Sequence, residues 1–371
     1  MSTGGTQRLV VRALTRSVAV AIAATVLLGT PSVASVRSTT ATPQTFAASF
    51  FGMSAGADLT QLPDAAFNKE LDLMQQAGVH WLRAAIPWGR VHHVKDYPDK
   101  WNLIDRLVQG ASTRNMQVLG IVDNPPDWAK LNVPRVSCTV QPPFDLTEYA
   151  KFVGRLAARY PASVLSAIEL ENSPNLSGIW KQPDPCAYAA LMKLAYPAVK
   201  NANPAIKVLN GGVGGTKTDS TQIAGDVFFA DLYKYGAKGN FDIASFHPYS
   251  YPCFASKPCS KDRPWYRIPS VRATMVNHGD GAKPIWATEF GAPTNGGSIR
   301  DGHVDEQTQA ALIVDGMKAW HQYSFAGPLF VFQFRDNGTD PNVKNDWFGL
   351  VTHDLSRLKP SYTAYKRLAT A

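Results

Sequence analysis

The chain lacks the signatures of most ligand-handling classes. Its 371 residues hold only four cysteines, with no C-x-x-C pair and no histidine at ligand spacing. That argues against a zinc site. Only 18% of residues are charged, and Lys and Arg form no run. Nucleic-acid binding prefers a clustered basic patch, so no nucleic-acid partner is expected. The stretch Phe51-Gly-Met-Ser-Ala-Gly56 is a poor match to a Gly-rich phosphate loop, which weakens a nucleotide-binding doubly wound sheet. Beyond residue 34 no segment is long and apolar enough to span a membrane. No cofactor or metal is implied.

What is present begins with a leader. Arg8, Arg12 and Arg16 precede an apolar run from Ser17 to Leu28, and Ser32-Val33-Ala34 is a small-x-small site. Residues 1–34 therefore read as a secretory signal peptide cleaved after Ala34. An uncleaved N-terminal anchor is the alternative. The formal charge of +8 falls to +5 without the three leader arginines, because no acid precedes Ala34. Residues 35–47 are Ser/Thr/Ala-rich and read as a flexible segment. In an exported protein an even cysteine count suggests disulfides. Cys253 and Cys259 bracket a short loop, and Cys138 and Cys186 would tie two loops together.

From residue 48 to residue 371, strand-like and helix-like patterns alternate. Strands are expected at Phe50–Met53, Val79–Ile86, Gln117–Val122, Val164–Glu171, Lys207–Asn210, Phe241–Phe246, Pro284–Thr288 and Leu329–Phe334. The helices between them include Leu146–Tyr160, Thr221–Tyr235 and Glu306–Tyr323. Alternation of this kind predicts parallel strands with crossover helices. Eight units closing on themselves give an α/β fold, a single (β/α)8 TIM barrel with long βα loops.

In such a barrel the strand C-termini share one face, which carries the chemistry. Those ends bring Arg83, Asp123, Asn172, His247, Tyr249, Glu289 and Arg335 together. Glu289 closes the apolar strand Ile285–Thr288; capping the next helix or pairing with an arginine is its bland alternative. Trp88, Trp128, Trp180, Trp265 and Trp347 lie in the loops beyond. Flat rings with a few fixed polar groups suit sugars, whose C–H faces stack on aromatics. The alternative for any one of these tryptophans is a loop anchor.

Over nearly its whole mature length the chain resembles the clan A glycoside hydrolases, the retaining (β/α)8 glycosidases, most closely families 39 and 5. The residues that carry this are Arg83 with Trp88, Ile168-Glu-Leu-Glu-Asn-Ser-Pro-Asn175, His247-Pro-Tyr249, Pro284-Ile-Trp-Ala-Thr-Glu-Phe-Gly291 and Phe334-Arg-Asp-Asn-Gly-Thr-Asp340. The resemblance implies that Glu289 is the nucleophile of a covalent mechanism. Arg83 would keep it ionised, Asn172 would bind the sugar 2-hydroxyl, and His247 and Tyr249 would shape the same subsite. It implies a poly- or oligosaccharide as partner; the leader places the protein outside the cell or in its envelope, and a monomer is expected.

One position departs from the family. Its Asn-Glu-Pro motif supplies the acid/base, and here the run is Asn172-Ser173-Pro174. A retaining mechanism needs two carboxyl groups about 5 Å apart. Glu171 is the nearest stand-in, but alternation sets it roughly 6–7 Å deeper along the strand. An internal paired carboxylate is the competing reading of Glu171. Three functions stay open: a glycosidase with an atypical or missing acid/base, a transglycosylase, and a carbohydrate-binding barrel without turnover.

Overall fold

The computed structural model describes residues 46–56, 58–257, 259–296 and 302–371. The expected leader, its cleavage point and residues 35–45 lie outside them. Eight strands form the sheet: β1 (Phe51–Ser54), β2 (Trp81–Pro87), β3 (Gln117–Asp123), β4 (Leu165–Leu170), β5 (Lys207–Asn210), β6 (Ala244–Phe246), β7 (Ile285–Phe290) and β8 (Ala326–Val331). Around them run α1 (Asp64–Gln76), α2 (Trp88–Val91), α3 (Asn102–Ser112), α4 (Leu146–Arg159), α5 (Pro185–Ala202), α6 (Gly225–Lys234), α7 (Ile268–Asn277), α8 (Glu306–Trp320) and α9 (Pro360–Ala369).

The strand order is β5-β4-β3-β2-β1-β8-β7-β6, and every pairing within it is parallel. The parallel bridges Leu209↔Ile243 and Val213↔Phe246 join β5 to β6. The expected (β/α)8 barrel is therefore the fold. The helices start on local signals. Asp145 accepts hydrogen bonds from Thr147 N and Glu148 N at the head of α4. Asp184 caps α5 before Pro185, and Asp305 caps α8. A capping side chain satisfies N–H groups that have no partner in the first helical turn.

Several expected boundaries moved, three of them for visible reasons. The helix expected from Thr221 starts at Gly225, because Thr221 and Gln222 are held in a turn by Asp219 and a bridge to Leu176. β6 is shorter than expected, since residues 241–243 meet β5 only through isolated contacts. β8 ends at Val331 rather than Phe334; Phe332 and Phe334 still donate to Phe290 and Ser54, outside the regular ladder.

The barrel interior is layered. Trp81, Leu119, Ala167, Leu209, Ile243, Trp286 and Phe330 form a separate apolar cluster inside the barrel. Strand side chains repeat every two residues. Two residues further along β2, β4, β6 and β7 come Arg83, Glu169, Ser245 and Thr288. The apolar plug thus carries a polar layer toward the strand C-termini.

Two disulfides join Cys138 to Cys186 and Cys253 to Cys259. Beyond β8 the chain is tied to the barrel by buried charge. Arg335 Nε meets Glu70 of α1 at 2.7 Å, and Lys359 Nζ, paired with Asp336 of the same segment at 2.8 Å, also donates to Thr294 Oγ1 at 3.1 Å. No helix among the described residues is long and apolar enough to cross a membrane. Removing Glu70 leaves the buried Arg335 with only the half-exposed Asp58 as a counter-charge among the described residues. Glu70→Ala is therefore expected to lower the unfolding free energy by about 3–5 kcal/mol, read from the urea midpoint at constant slope.

Candidate active site at the strand C-termini

Glu289 reaches the barrel mouth because β7 is irregular. Ala287 pairs with Leu329 and Phe290 with Val331, so three steps on β7 oppose two on β8. The extra residue breaks alternation. Thr288 points into the barrel, where its hydroxyl meets Ser245 Oγ at 2.6 Å. Phe290 points outward onto Trp265 and the α8 glycine Gly316. Glu289, between them, turns to the mouth.

Arg83 from β2 organises this face. Its Nε donates to Glu169 Oε2 at 2.7 Å, Nη1 to Glu289 Oε1 at 2.9 Å and Nη2 to Asn172 Oδ1 at 2.9 Å. Only 2% of its surface is exposed. Glu169 also accepts from Gly212 N and Ser245 Oγ, both at 2.8 Å. The other oxygen of Glu289 accepts from Tyr249 Oη at 2.9 Å and lies 3.5 Å from His247 Nδ1.

Burial alone would push the Glu289 carboxyl up. The charges of His247 and Arg83, with hydrogen bonds from Tyr249 and Arg83, reverse this and hold it below its usual range. Burial also holds the His247 imidazole below its usual range. Arg83 is thus the cation that stays charged at neutral pH. Burial and the Glu289 charge push the Tyr249 phenol well up, so it stays a donor.

Ser173 Oγ sits 3.3 Å from His247 Nδ1. Serine and carboxylate thus approach the same ring nitrogen. A Ser-His-acid triad needs the two on opposite nitrogens, so the serine is not activated in that way. His247 Nε2 has no hydrogen-bond partner among the described residues, and it packs onto Gly212, where a Cβ would lie 2.0 Å from it. Only glycine fits beneath the imidazole.

The remaining carboxyls lie toward β3. Glu171 and Ser173 both have positive φ, 65° and 45°, a costly backbone for side chains other than Gly, Asn or Asp. The chain leaves β4 through this kink, which ends the strand at Leu170. Glu171 is 3% exposed; its N–H donates to Val122 O and Tyr149 Oη, and its Oε1 has no partner among the described residues. Burial, then repulsion from Asp123, pushes its pKa well above the usual carboxyl range. Asp123 closes β3 and is pushed up to about 6, chiefly by burial.

The other expected site residues fall elsewhere. Arg335 pairs with Glu70 and Asp58 and makes no contact with the Glu289 cluster. Trp88 and Trp180 are 0% and 1% exposed; they pack against Phe144, with Tyr149 and Tyr188 beside them. Neither ring is open to the mouth. Trp265 is also buried, whereas Trp128 and Trp347 stay partly exposed. The aromatic wall beside Glu289 comes instead from Tyr249, Tyr251, Phe332 and Phe348, with ring centroids 5.4–6.4 Å apart. Tyr251, Phe332, Glu169 and Gly212 escaped the sequence reading. Glu169 had a signal, its place two residues before Glu171 on an inward-facing strand; Phe332 had none.

Asp123 gives a sign-specific test. Its folded pKa is raised, so the folded state favours the proton, and that stability fades as pH rises from about 4 through 6. Asp123→Asn removes the penalty of the buried charge. It is expected to stabilise the protein by about 1–2 kcal/mol at pH 7 and by almost nothing at pH 4, measured as urea midpoints at both values.

No protein-family model matches the chain, and no curated protein matches it. Solved structures do match. A family 39 glycoside hydrolase from the gut symbiont Bacteroides cellulosilyticus WH2 aligns at a TM-score of 0.67 with 21% identity, over 86% of this chain and 63% of that one. A monomeric β-xylosidase from Caulobacter crescentus CB15 aligns at 0.63 with 21% identity, over 86% and 68%. A family 5 enzyme from Bifidobacterium longum aligns at 0.63 with 14% identity, over 86% and 77%. The chain thus spans less than two thirds of the first of these proteins. What it has in common with these family 39 and family 5 enzymes is the parallel (β/α)8 barrel.

Proposed function

We propose that this chain is a retaining glycoside hydrolase that cleaves O-glycosidic bonds in an oligo- or polysaccharide. The carrying observation is a buried carboxylate, Glu289, held ionised by Arg83 and aimed by Tyr249. In this reading Glu289 attacks the anomeric carbon as the bond to the leaving oxygen breaks. Water then hydrolyses the glycosyl ester and frees Glu289. Asn172, fixed by Arg83, receives the sugar 2-hydroxyl. The partly exposed Tyr251 and Phe332 flank Tyr249 and offer rings to the sugar face. The leader sequence and two disulfides support export to the medium or the envelope.

The leaving oxygen needs a proton, and Ser173 cannot supply one near neutral pH. Glu171 is the tentative substitute acid. Its burial favours the protonated carboxyl, which suits a donor, and the kinked backbone there departs from simple strand depth. A second reading, a carbohydrate-binding or glycosyl-transferring barrel, is favoured by one observation. The partner of Ser173 Oγ is an imidazole and no carboxyl.

Two experiments separate these readings. Activated 2-fluoro-glycosides carry leaving groups that depart without an acid. Intact-mass spectrometry after incubation with a panel of them is expected to show an adduct that maps to Glu289 and is absent in Glu289→Gln. A folded protein that binds glycans and takes no label with any sugar is the binding barrel. On an aryl glycoside that labels, azide is expected to speed turnover and give a glycosyl azide of retained configuration, because the small Ser173 leaves the anomeric face open. Ser173→Glu is expected to lose the azide response and to raise the rate on unactivated glycosides by about 10²–10⁴. Efficient hydrolysis by the parent with no azide response would assign the acid to another group, and Glu171→Gln tests that group directly.

A further inference from the structure

Next to the strand ends of β2 and β3 lies a groove of about 720 Å³, lined by Gly89, Arg90, His93, Lys95, Trp128 and one acid, Asp127, among others. A smaller hollow of about 300 Å³ shares Gly89 and Arg90 with it and reaches Pro87 and Asn124. Pro87 ends β2, and Asn124 follows Asp123, so the groove runs on toward the mouth. Its floor is fixed: Gly89 N donates to Asn124 O at 2.8 Å, and a Cβ on Gly89 would meet that oxygen at 3.0 Å.

Two features show what such a groove takes. The first is an anchored ring. Trp128 is partly exposed, yet its Nε1 donates to His92 O at 3.1 Å, and it packs edge-on against Trp88 and His92. A ring held this way meets a pyranose face at little entropic cost. The second is unpaired positive charge. Arg90 and Lys95 are exposed, and neither has an ion-pair partner among the described residues. The neighbouring acids do not neutralise them. Asp99 is tied to His92 and Arg155, Asp127 to Lys130, and Asp96 does not line the groove.

We propose that this groove is an accessory subsite for a carboxylated glycan, a chain containing uronic acid residues. Trp128 stacks on one pyranose, and Arg90 and Lys95 receive the carboxylates of the residues beside it. A neutral glycan would call for amide or hydroxyl partners rather than two unpaired cations. Guanidinium and carboxylate match in geometry, and such pairs are stronger than neutral hydrogen bonds. The mature chain's net charge of +5 favours the same ligand at long range. The proposal rests on the glycosidase reading for its biological sense, though the groove binds or fails to bind independently of it.

The test uses the full mature chain as Glu289→Gln, so that no ligand turns over. Calorimetry compares hexagalacturonate and hexamannuronate with the same hexamers after reduction of their carboxyl groups. One of the acidic hexamers is expected to bind about tenfold more tightly than its neutral form in low salt, with the gap closing as salt rises. Arg90→Ala with Lys95→Ala, both at the surface, should erase the gap, and Trp128→Ala should weaken both forms. Equal affinity for acidic and reduced hexamers overturns the proposal. So does an unchanged gap in the double variant. A sulfated neutral hexamer or a DNA hexanucleotide that binds as tightly as the acidic hexamers overturns the carboxylate assignment. Fluoro-glycoside labelling of the parent enzyme is read separately. Labelling without acidic-glycan binding removes the groove and keeps the nucleophile; binding without labelling does the reverse.

Discussion

A single buried guanidinium holds the mouth of this barrel together. Arg83 is taken out of water within β2, which is expensive for any cation unless its charge and its donors are met. Two carboxylates and an amide meet them: Glu169 from β4, Glu289 from β7 and Asn172 just past β4. The same contacts bind three parts of the barrel rim at fixed distances. Without Arg83 the two carboxylates would repel in a low dielectric, and burial would drive Glu289 toward its neutral form. The ionised state of Glu289 is therefore a property of the barrel closing around Arg83.

Around that centre the polar groups divide by depth. Glu169 lies below, satisfied by Arg83, Gly212 N, Ser245 and Thr288, and serves the structure. Glu289 lies above, with Tyr249 and His247 on its free oxygen, and faces the opening. On the β3 side the balance is different. Among the described residues Asp123 and Glu171 have no cation in direct contact, so burial raises both. One mouth thus holds a carboxyl whose charged form is favoured beside carboxyls whose protonated form is favoured, a division that acid–base chemistry on a leaving group requires. Ser173 sits between them with only an imidazole as partner.

The strand-end reading found much of this centre. Arg83, Asn172, His247, Tyr249 and Glu289 converge because parallel strands of a closed barrel put their C-termini on one face. Glu169 was passed over, although the period-two pattern from Ala167 marks it as inward. The tryptophans misled for a physical reason. A large ring in a loop gains more by packing under that loop than by facing water, and Trp88 and Trp180 do so. Arg335 misled because strand β8 ends at Val331, four residues earlier, and the intervening turn carries the arginine to Glu70 and Asp58. Phe332 had no local signal; the turn after β8 sets it beside Tyr249.

The order of strands and helices, the cysteine pairing and the identity of the strand-end residues were determined by the sequence alone. They depend on periodicity, turn residues and short-range spacing, which are local properties. The tertiary structure decided which of those residues touch. The bulge in β7 turns Glu289 to the mouth, and the positive φ of Glu171 ends β4 early. Closure of the ring places β2 and β7 within reach of one guanidinium. The ionisation of each carboxyl followed from that closure. It depends on burial and on neighbours more than 200 residues away, as Arg83 and Glu289 are, and no local pattern encodes such a distance.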